Sequence, residues 1–440
     1  MKSISHILFK PVSYSSLVVY RIIFGLLTLF SSIRFAANGW IEELYLEPQF
    51  HFKYFGFEWV TIGSPFVTYT LFALMILSSI GITLGAFYRF SISVFFLLFT
   101  YFELIDLTNY LNHYYFVSLM ALLLIFLPAN VNFSLDTRFG FVKRQEVIPN
   151  WCLLSIKLQL SLVYFFAGLA KLNYDWLIEA QPLSIWLAPH TNFPLIGGLM
   201  DEKLTAYLFS VGGAIFDLAV PFLLWSNKYR PFAYFFVVIF HVLTSLLFPI
   251  GVFPFVMILS TLIFFSPSFH KQILLKLGHK PVSNAEETLP TPSRKLATLF
   301  LLFFLFQLLF PLRYLLYPND LFWTEQGYRF SWRVMLMEKA GYASFTVYPY
   351  GDDKGITVDN SEYLTPQQEK MMSTQPDFIL QYAHFIGEKY RISKNIEPKV
   401  TVESYVSING KGSQRYVKKD LNLMPIKNSL TPITFLETYQ

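Results

Sequence analysis

One cysteine, Cys152, stands among 440 residues, so no disulfide can close within the chain and the redox compartment leaves no mark on it. Charge is scarce too. Only 14% of residues are Asp, Glu, Lys or Arg, against about 25% in a soluble domain, and that deficit excludes an ordinary water-soluble globule. The eight histidines show neither HxxHH nor HExxH spacing, so no metal site is expected. Haem ligation by His113 and His241 lacks supporting spacing. Walker A and dinucleotide glycine motifs are absent, and no internal repeat is visible. No cleavable signal is seen either; the first apolar run leads into further spans and reads as a true first span.

What is present in excess is apolar and aromatic. Hydrophobic residues make up 54% of the chain and aromatics 19%, including 48 Phe. Apolar windows long enough for a hydrocarbon core of about 30 Å recur, near 12–33, 66–88, 92–108, 113–129, 152–172, 204–225, 232–248, 251–266 and 296–313. The expected fold is an all-α polytopic membrane domain of about nine transmembrane helices over 1–313. A small extracytoplasmic α+β domain over 314–440 follows. With a cytoplasmic N-terminus, thirteen Lys and Arg fall in cytoplasmic segments and three in the opposite loops before residue 313. That bias predicts the orientation and puts the C-terminal domain outside the cytoplasm.

From residue 314 onward 14 Lys+Arg face 14 Asp+Glu, so the membrane half carries the whole net charge of +5. Because that charge sits in membrane loops, membrane lipid is an expected partner and nucleic acid is not. "ASFTVYPY", "KGITVDN", "KVTVESYVSING" and "QRYVKKDLNL" read as strands, with Asn409-Gly410 as a hairpin turn between the last two. A Thr-Pro start near 365 opens a helix reaching about 390, with Phe378, Tyr382 and Phe385 at helical spacing. The Pro/Ser-rich stretch 280–295 reads as a flexible link.

Polar groups inside the spans each need an explanation. Lys157 and Lys171 lie on one helix, about 21 Å apart at 1.5 Å per residue. Lys157 reads as a side chain snorkelling to the near surface. Lys171, in "YFFAGLAKLNYDW", admits three readings: snorkelling, pairing with Asp175 four residues on, or chemistry. Asp217 sits in mid-span and needs a partner or a proton. His241 is equally deep and reads as a satisfied core histidine or as a ligand. Glu103, Asp106, Asn109 and His113 share one face if their helix runs on. His113 then falls at the same membrane depth as the Lys171 segment.

The blocks "YLEPQFHFKYFGFEWV", "LNHYYF", "PANVNFSLDTR", "YFFAGLAKLNYDWL", "GGAIFDLAVPFLL", "FHVLTSLLFPIGVFPFVMI", "QGYRFSWRVML" and "VESYVSINGKGSQRYV" occur in that order. In them the chain resembles the vitamin K-dependent γ-carboxylase family and its shorter bacterial relatives sharing the HTTM-type membrane domain. The resemblance implies an enzyme that oxidises a reduced naphthoquinone (reduced vitamin K) with O2 to an epoxide. The strong base so generated removes a γ-proton from a glutamate in a peptide or protein substrate, and CO2 or bicarbonate-derived CO2 adds to the carbanion. It implies Lys171 as the base that deprotonates the hydroquinone. Burial among Phe165, Phe166 and Trp176 suits that task by disfavouring the ammonium form. Asn112 and His113 are implied to hold a quinone oxygen or the oxygenated intermediate. Asp217, His241, Trp176 and Asp175 are implied as quinone-site or supporting residues, and Tyr328, Trp332 and Arg333 as contacts for the substrate glutamate. No metal is implied.

The chain departs from the animal members in two respects. Its C-terminal part is shorter, so recognition of a propeptide is in doubt, and Arg333 and Met337 replace residues typical of those enzymes. Three readings therefore stay open: a coupled carboxylase, an uncoupled quinol oxygenase of the same fold, and a non-catalytic membrane protein that binds lipid or quinone. The missing signals, single cysteine and short tail point to a bacterial inner membrane.

Overall fold

A computed structural model describes residues 2–280, 293–348, 354–394 and 398–439. Most of the expected flexible link, 281–292, lies outside the described residues. The membrane half is built from α1 (Ser15–Ala37), α2 (Pro65–Leu84), α3 (Tyr88–Ile105), α4 (Asn112–Phe126), α5 (Trp151–Ala170), α6 (Lys203–Trp225), α7 (Arg230–Leu247), α8 (Phe253–Thr261), α9 (Pro267–Lys276) and α10 (Arg294–Leu309). The ends follow local chemistry. Ser64 accepts from the Val67 N–H ahead of Pro65, and Gly85, at φ 63°, closes α2 in the left-handed conformation that glycine tolerates.

Each of the nine expected apolar stretches contains helix, but not nine full spans. Among the described residues, seven helices are long and apolar enough to cross a membrane, or eight if one bent pair counts as a span. The shortfall has local causes. α4 has 15 residues, about 22 Å of helix, because Pro128 forces Leu127 into an extended conformation. The 251–266 stretch breaks where Ser266 caps a new helix that begins at Pro267, and the two pieces meet at 116°. The bilayer-facing surfaces of the spans stay apolar; on α10, Leu299, Leu302, Leu305 and Phe306 are exposed.

The C-terminal domain is α+β, as expected. Strands β1 (Lys339–Tyr348), β2 (Ile356–Thr357), β3 (Lys399–Ile408) and β4 (Gln414–Arg415) form an antiparallel sheet in the order β2-β1-β3-β4. Helices α11 (Pro366–Met372) and α12 (Pro376–Lys394) pack on it, α11 opened by a Thr365/Gln368 capping box. Phe378 and Tyr382 are fully buried and Phe385 packs at the edge of the same cluster. Without a disulfide, apolar packing holds this domain, and the membrane half contributes to it: Phe52, Tyr54 and Leu107 belong to the same core.

Polar clasps join the two halves. Gln381 accepts from the Lys53 N–H at 2.7 Å and donates back to the Lys53 carbonyl. Asp106 binds His51 Nδ1 at 3.1 Å and Gln368 Nε2 at 2.8 Å. This overturns the single polar face expected for Glu103, Asp106, Asn109 and His113. Asp106 is extended (φ −139°, ψ 117°), so the helix stops at Ile105, turns through a short 3-10 segment and restarts at Asn112.

Candidate active site

Lys171 is the C-cap of α5, and its side chain turns inward. It donates to Asp217 Oδ2 on α6 at 2.7 Å and to the Ala167 carbonyl at 3.3 Å. The exposed fractions of the two side chains are 8% and 6%, so the pair is desolvated. Neither snorkelling nor pairing with Asp175 describes it. A glycine makes the contact possible: a Cβ at Gly168 would lie 2.8 Å from the backbone nitrogen of Leu218, so α5 and α6 touch backbone to backbone beside the pair. The Trp176 ring lies 5.3 Å from Lys171 Nζ, within cation–π range. Trp176 is itself fixed, its Nε1 donating to the Ser210 carbonyl at 2.8 Å.

The ion pair faces a cavity of about 100 Å³ lined by Lys171, Asp217, Trp176, His241, Tyr164 and otherwise largely apolar side chains. His241 Nε2 lies 3.1 Å from the Tyr164 hydroxyl, which is 3.4 Å from Thr261 Oγ1. Thr261 spends its own proton on the Met257 carbonyl. Tyr164 thus engages Nε2 of His241 and leaves the other ring nitrogen, Nδ1, to be accounted for. Nδ1 is buried without a partner. A buried polar atom left unsatisfied beside a cavity is where a polar group of a ligand belongs.

A second chamber of about 940 Å³ lies between the bundle and the C-terminal domain, and Asn112, His113, Tyr328 and Arg333 line it. Ile250, Phe253, Val334 and Met335 border both spaces. The Phe253 ring is 5.5 Å from the His113 ring and 5.7 Å from the His241 ring. His113 and Lys171 thus occupy the same end of the bundle, with Phe253 as the partition. Asn112 is held by a relay: the Phe330 N–H donates to the Tyr110 hydroxyl (2.7 Å), which donates to Asn112 Oδ1 (3.0 Å), while Asn112 Nδ2 donates to the Arg333 carbonyl (2.9 Å). These bonds anchor a strained loop. Phe330, Trp332 and Met335 have φ of 59°, 59° and 52°, a region that costs a non-glycine residue roughly 1–3 kcal/mol.

Arg333 stacks its guanidinium 4.3 Å over the Tyr314 ring and leaves Nε without a hydrogen bond. Burial lowers its pKa from the usual arginine value, with Tyr314 and Tyr328 opposing. Nearby, Lys339 and Glu325 form a buried pair at 2.7 Å, and burial outweighs Glu325 in lowering the Lys339 pKa.

Three sequence expectations change. Trp332 does not reach the chamber: it is 1% exposed and stacks on Tyr115 at 4.9 Å in the bundle core. Phe165 and Phe166 do not surround Lys171, because residues five and six back on a helix point elsewhere; Tyr164 and Ala167 line the cavity instead. Asp175 turns away from the cavity and binds Asn409 Nδ2 at 2.7 Å and Lys411 Nζ at 2.9 Å, tying the Lys171 segment to the β3–β4 hairpin. Sequence reasoning passed over Tyr164, although it lies two helical turns before Lys171, and Phe253, which carries no chemical signal. Arg34, counted there only as a loop charge, lines the large chamber with its guanidinium 4.7 Å over Trp40.

Among the described residues no cluster could hold a metal ion. Residues 9–269 match the family model described as the HTTM domain. Residues 292–440 match that of the lumenal domain of vitamin K-dependent gamma-carboxylase, a match that takes in α10. No solved structure matches the chain at the level counted as significant.

Proposed function

The chain belongs to the vitamin K-dependent gamma-carboxylase family, a membrane protein with that family's two parts in order, and from that premise we propose that it carboxylates peptide glutamate at the expense of reduced vitamin K. Reduced vitamin K supplies, on its oxidation by O2, the base strong enough to take a glutamate γ-proton, after which CO2 adds. The observation that carries the proposal is the desolvated Lys171–Asp217 pair facing a largely apolar cavity beside a buried ring nitrogen without a partner, His241 Nδ1. Those features fit a flat apolar ring bearing hydroxyls.

In this reading the buried pair loses one proton before the reaction, so that Lys171 acts from its neutral amine; on accepting a hydroxyl proton it becomes an ammonium that Asp217 and the Trp176 face stabilise. His241 Nδ1 orients the ring through a hydrogen bond to one of its oxygens, while Nε2 is held by Tyr164. The apolar lining keeps water away from a base it would quench. At about 100 Å³ the cavity is smaller than the ~150 Å³ space that takes benzene. A two-ring head would therefore also need the space behind Phe253 and Met335, which border both cavities. Asn112 and His113 line that space and would hold its far side. In the large chamber Arg333, with Tyr328 beside it, receives the substrate carboxylate. Trp332 supports the loop from behind. The excess of Lys and Arg on one set of loops supports a cytoplasmic N-terminus and an extracytoplasmic C-terminal domain.

The test uses purified protein in detergent with reduced vitamin K, O2, a Glu-containing peptide and labelled bicarbonate. Epoxide together with label in the peptide is the expected result. Epoxide without label would reduce the function to quinol oxygenation, and no epoxide from folded protein would leave a non-catalytic binding role.

A further inference from the structure

The cavity beside Lys171 and the large chamber are divided by side chains that border both spaces, Ile250, Phe253, Val334 and Met335. The smaller side, at about 100 Å³, is below the ~150 Å³ that takes one benzene ring. No two-ring head enters it unless part of the divide gives way. How each residue is held decides which part that is.

The Phe253 ring stands between the rings of His113 and His241, 5.5 and 5.7 Å away, at the start of α8. Ile250 sits in a tight turn, its N–H donating to the Phe248 carbonyl at 2.8 Å. Like Val334, it is β-branched and stiff about its first side-chain torsion. Met335 differs from all three. It is unbranched, turns about three side-chain bonds and is only half-buried. Its backbone, by contrast, is fixed from both sides. The Arg333 carbonyl accepts from Asn112 Nδ2 at 2.9 Å, and the Glu338 N–H donates to Asn409 Oδ1 at 2.9 Å. Leu336, the next residue, is 1% exposed in the cluster that holds Trp176. Between these anchors Met335 is kept at φ 52°, in the left-handed region. The backbone therefore holds its place, and the thioether side chain is the part that moves.

We propose that Met335 sets which quinol rings the site admits. With its side chain in the divide, the cavity is closed to a two-ring head. With the side chain swung toward the chamber, the two spaces join and the second ring is received beside Phe253. The inference rests on the function proposed above and adds the residue that selects ring size. A thioether exchanges no proton, so the effect falls on binding rather than on the chemical step.

The experiment uses the full chain in detergent and two oxidised quinones, tetramethylbenzoquinone with one ring and dimethylnaphthoquinone with two. Binding is read without turnover by quenching of tryptophan fluorescence, since Trp176 lines the cavity. The readout is the ratio of the two dissociation constants in wild type, Met335→Ala and Met335→Phe, each shown folded by thermal shift. Alanine should favour the two-ring quinone and phenylalanine should disfavour it, each by about tenfold relative to the one-ring quinone, the scale on which apolar pockets discriminate by size. Met335→Leu, close in volume but branched, is the milder closing variant should Phe impair folding. A ratio unmoved by Ala and by the closing variant, or moved the same way by both, overturns the proposal. Epoxide formation from reduced vitamin K tells the two inferences apart. A ratio that moves as expected without any epoxide counts against the reaction and for the selection, and epoxide with an unmoved ratio does the reverse.

Discussion

At the scale of single residues the central feature is a buried charge with one partner. Removing one member of a desolvated pair costs about 3–5 kcal/mol, whereas replacing both with apolar side chains of similar size is often neutral or stabilising. For Lys171 and Asp217 this separates stability from chemistry. Asp217→Asn should lower the thermal midpoint and epoxide formation together. The double variant Lys171→Met with Asp217→Leu should regain the midpoint and no activity, read by a thermal shift assay beside turnover. A double variant as unstable as the single one would mean the pair is needed for the fold. The sequence made Lys171 visible as a cation in an apolar run, and Asp217 as a mid-span carboxylate. It did not join them, because their 46-residue separation is bridged only by the packing of two helices.

At the scale of elements, a glycine and a hairpin set the site. Gly168 lets α5 approach α6 to backbone contact, and backbone cannot move aside as a side chain does. Gly168→Ala should cost about 1–3 kcal/mol of stability by overpacking and cut turnover by parting Lys171 from Asp217. Normal turnover in that variant would show that the contact is not needed. The hairpin clasp yields a graded prediction. Asn409 is buried, its amide shared between Asp175 and the Glu338 backbone, so Asn409→Ala should cost about 1–3 kcal/mol. The Lys411 side chain is 46% exposed, and Lys411→Ala should cost no more than about 1 kcal/mol. Urea or thermal titrations rank the two, and the reverse order would contradict the assignment. Strands and turn were legible from alternation and the Asn409-Gly410 pair. The break after Ile105 was not, because Asp106 abandons helix for partners on α11 and at His51 that lie far away in sequence.

At the scale of the whole molecule the two halves share one core and enclose the large chamber, so neither alone makes the site. Composition announced the membrane half, and the change to balanced charge announced the C-terminal domain. The number of crossings was harder to read, since a 15-residue helix and a pair bent by 116° are as apolar as true spans. The proposed orientation rests on charge alone: a reporter fused after Gln440 should be active only outside the cytoplasm, and cytoplasmic activity would reverse the topology. The places of Phe253 and Arg34 on the chamber wall were not legible in the sequence. They are defined by which helices meet, not by any residue type.

The most direct measurement is epoxide formation from reduced vitamin K by wild-type protein beside Lys171→Ala, both shown folded by thermal shift. The account predicts epoxide from the wild type and a loss of at least about a hundredfold in the variant, the scale of general base catalysis. Equal rates from the two would contradict it, and the base would have to be sought elsewhere in the chain.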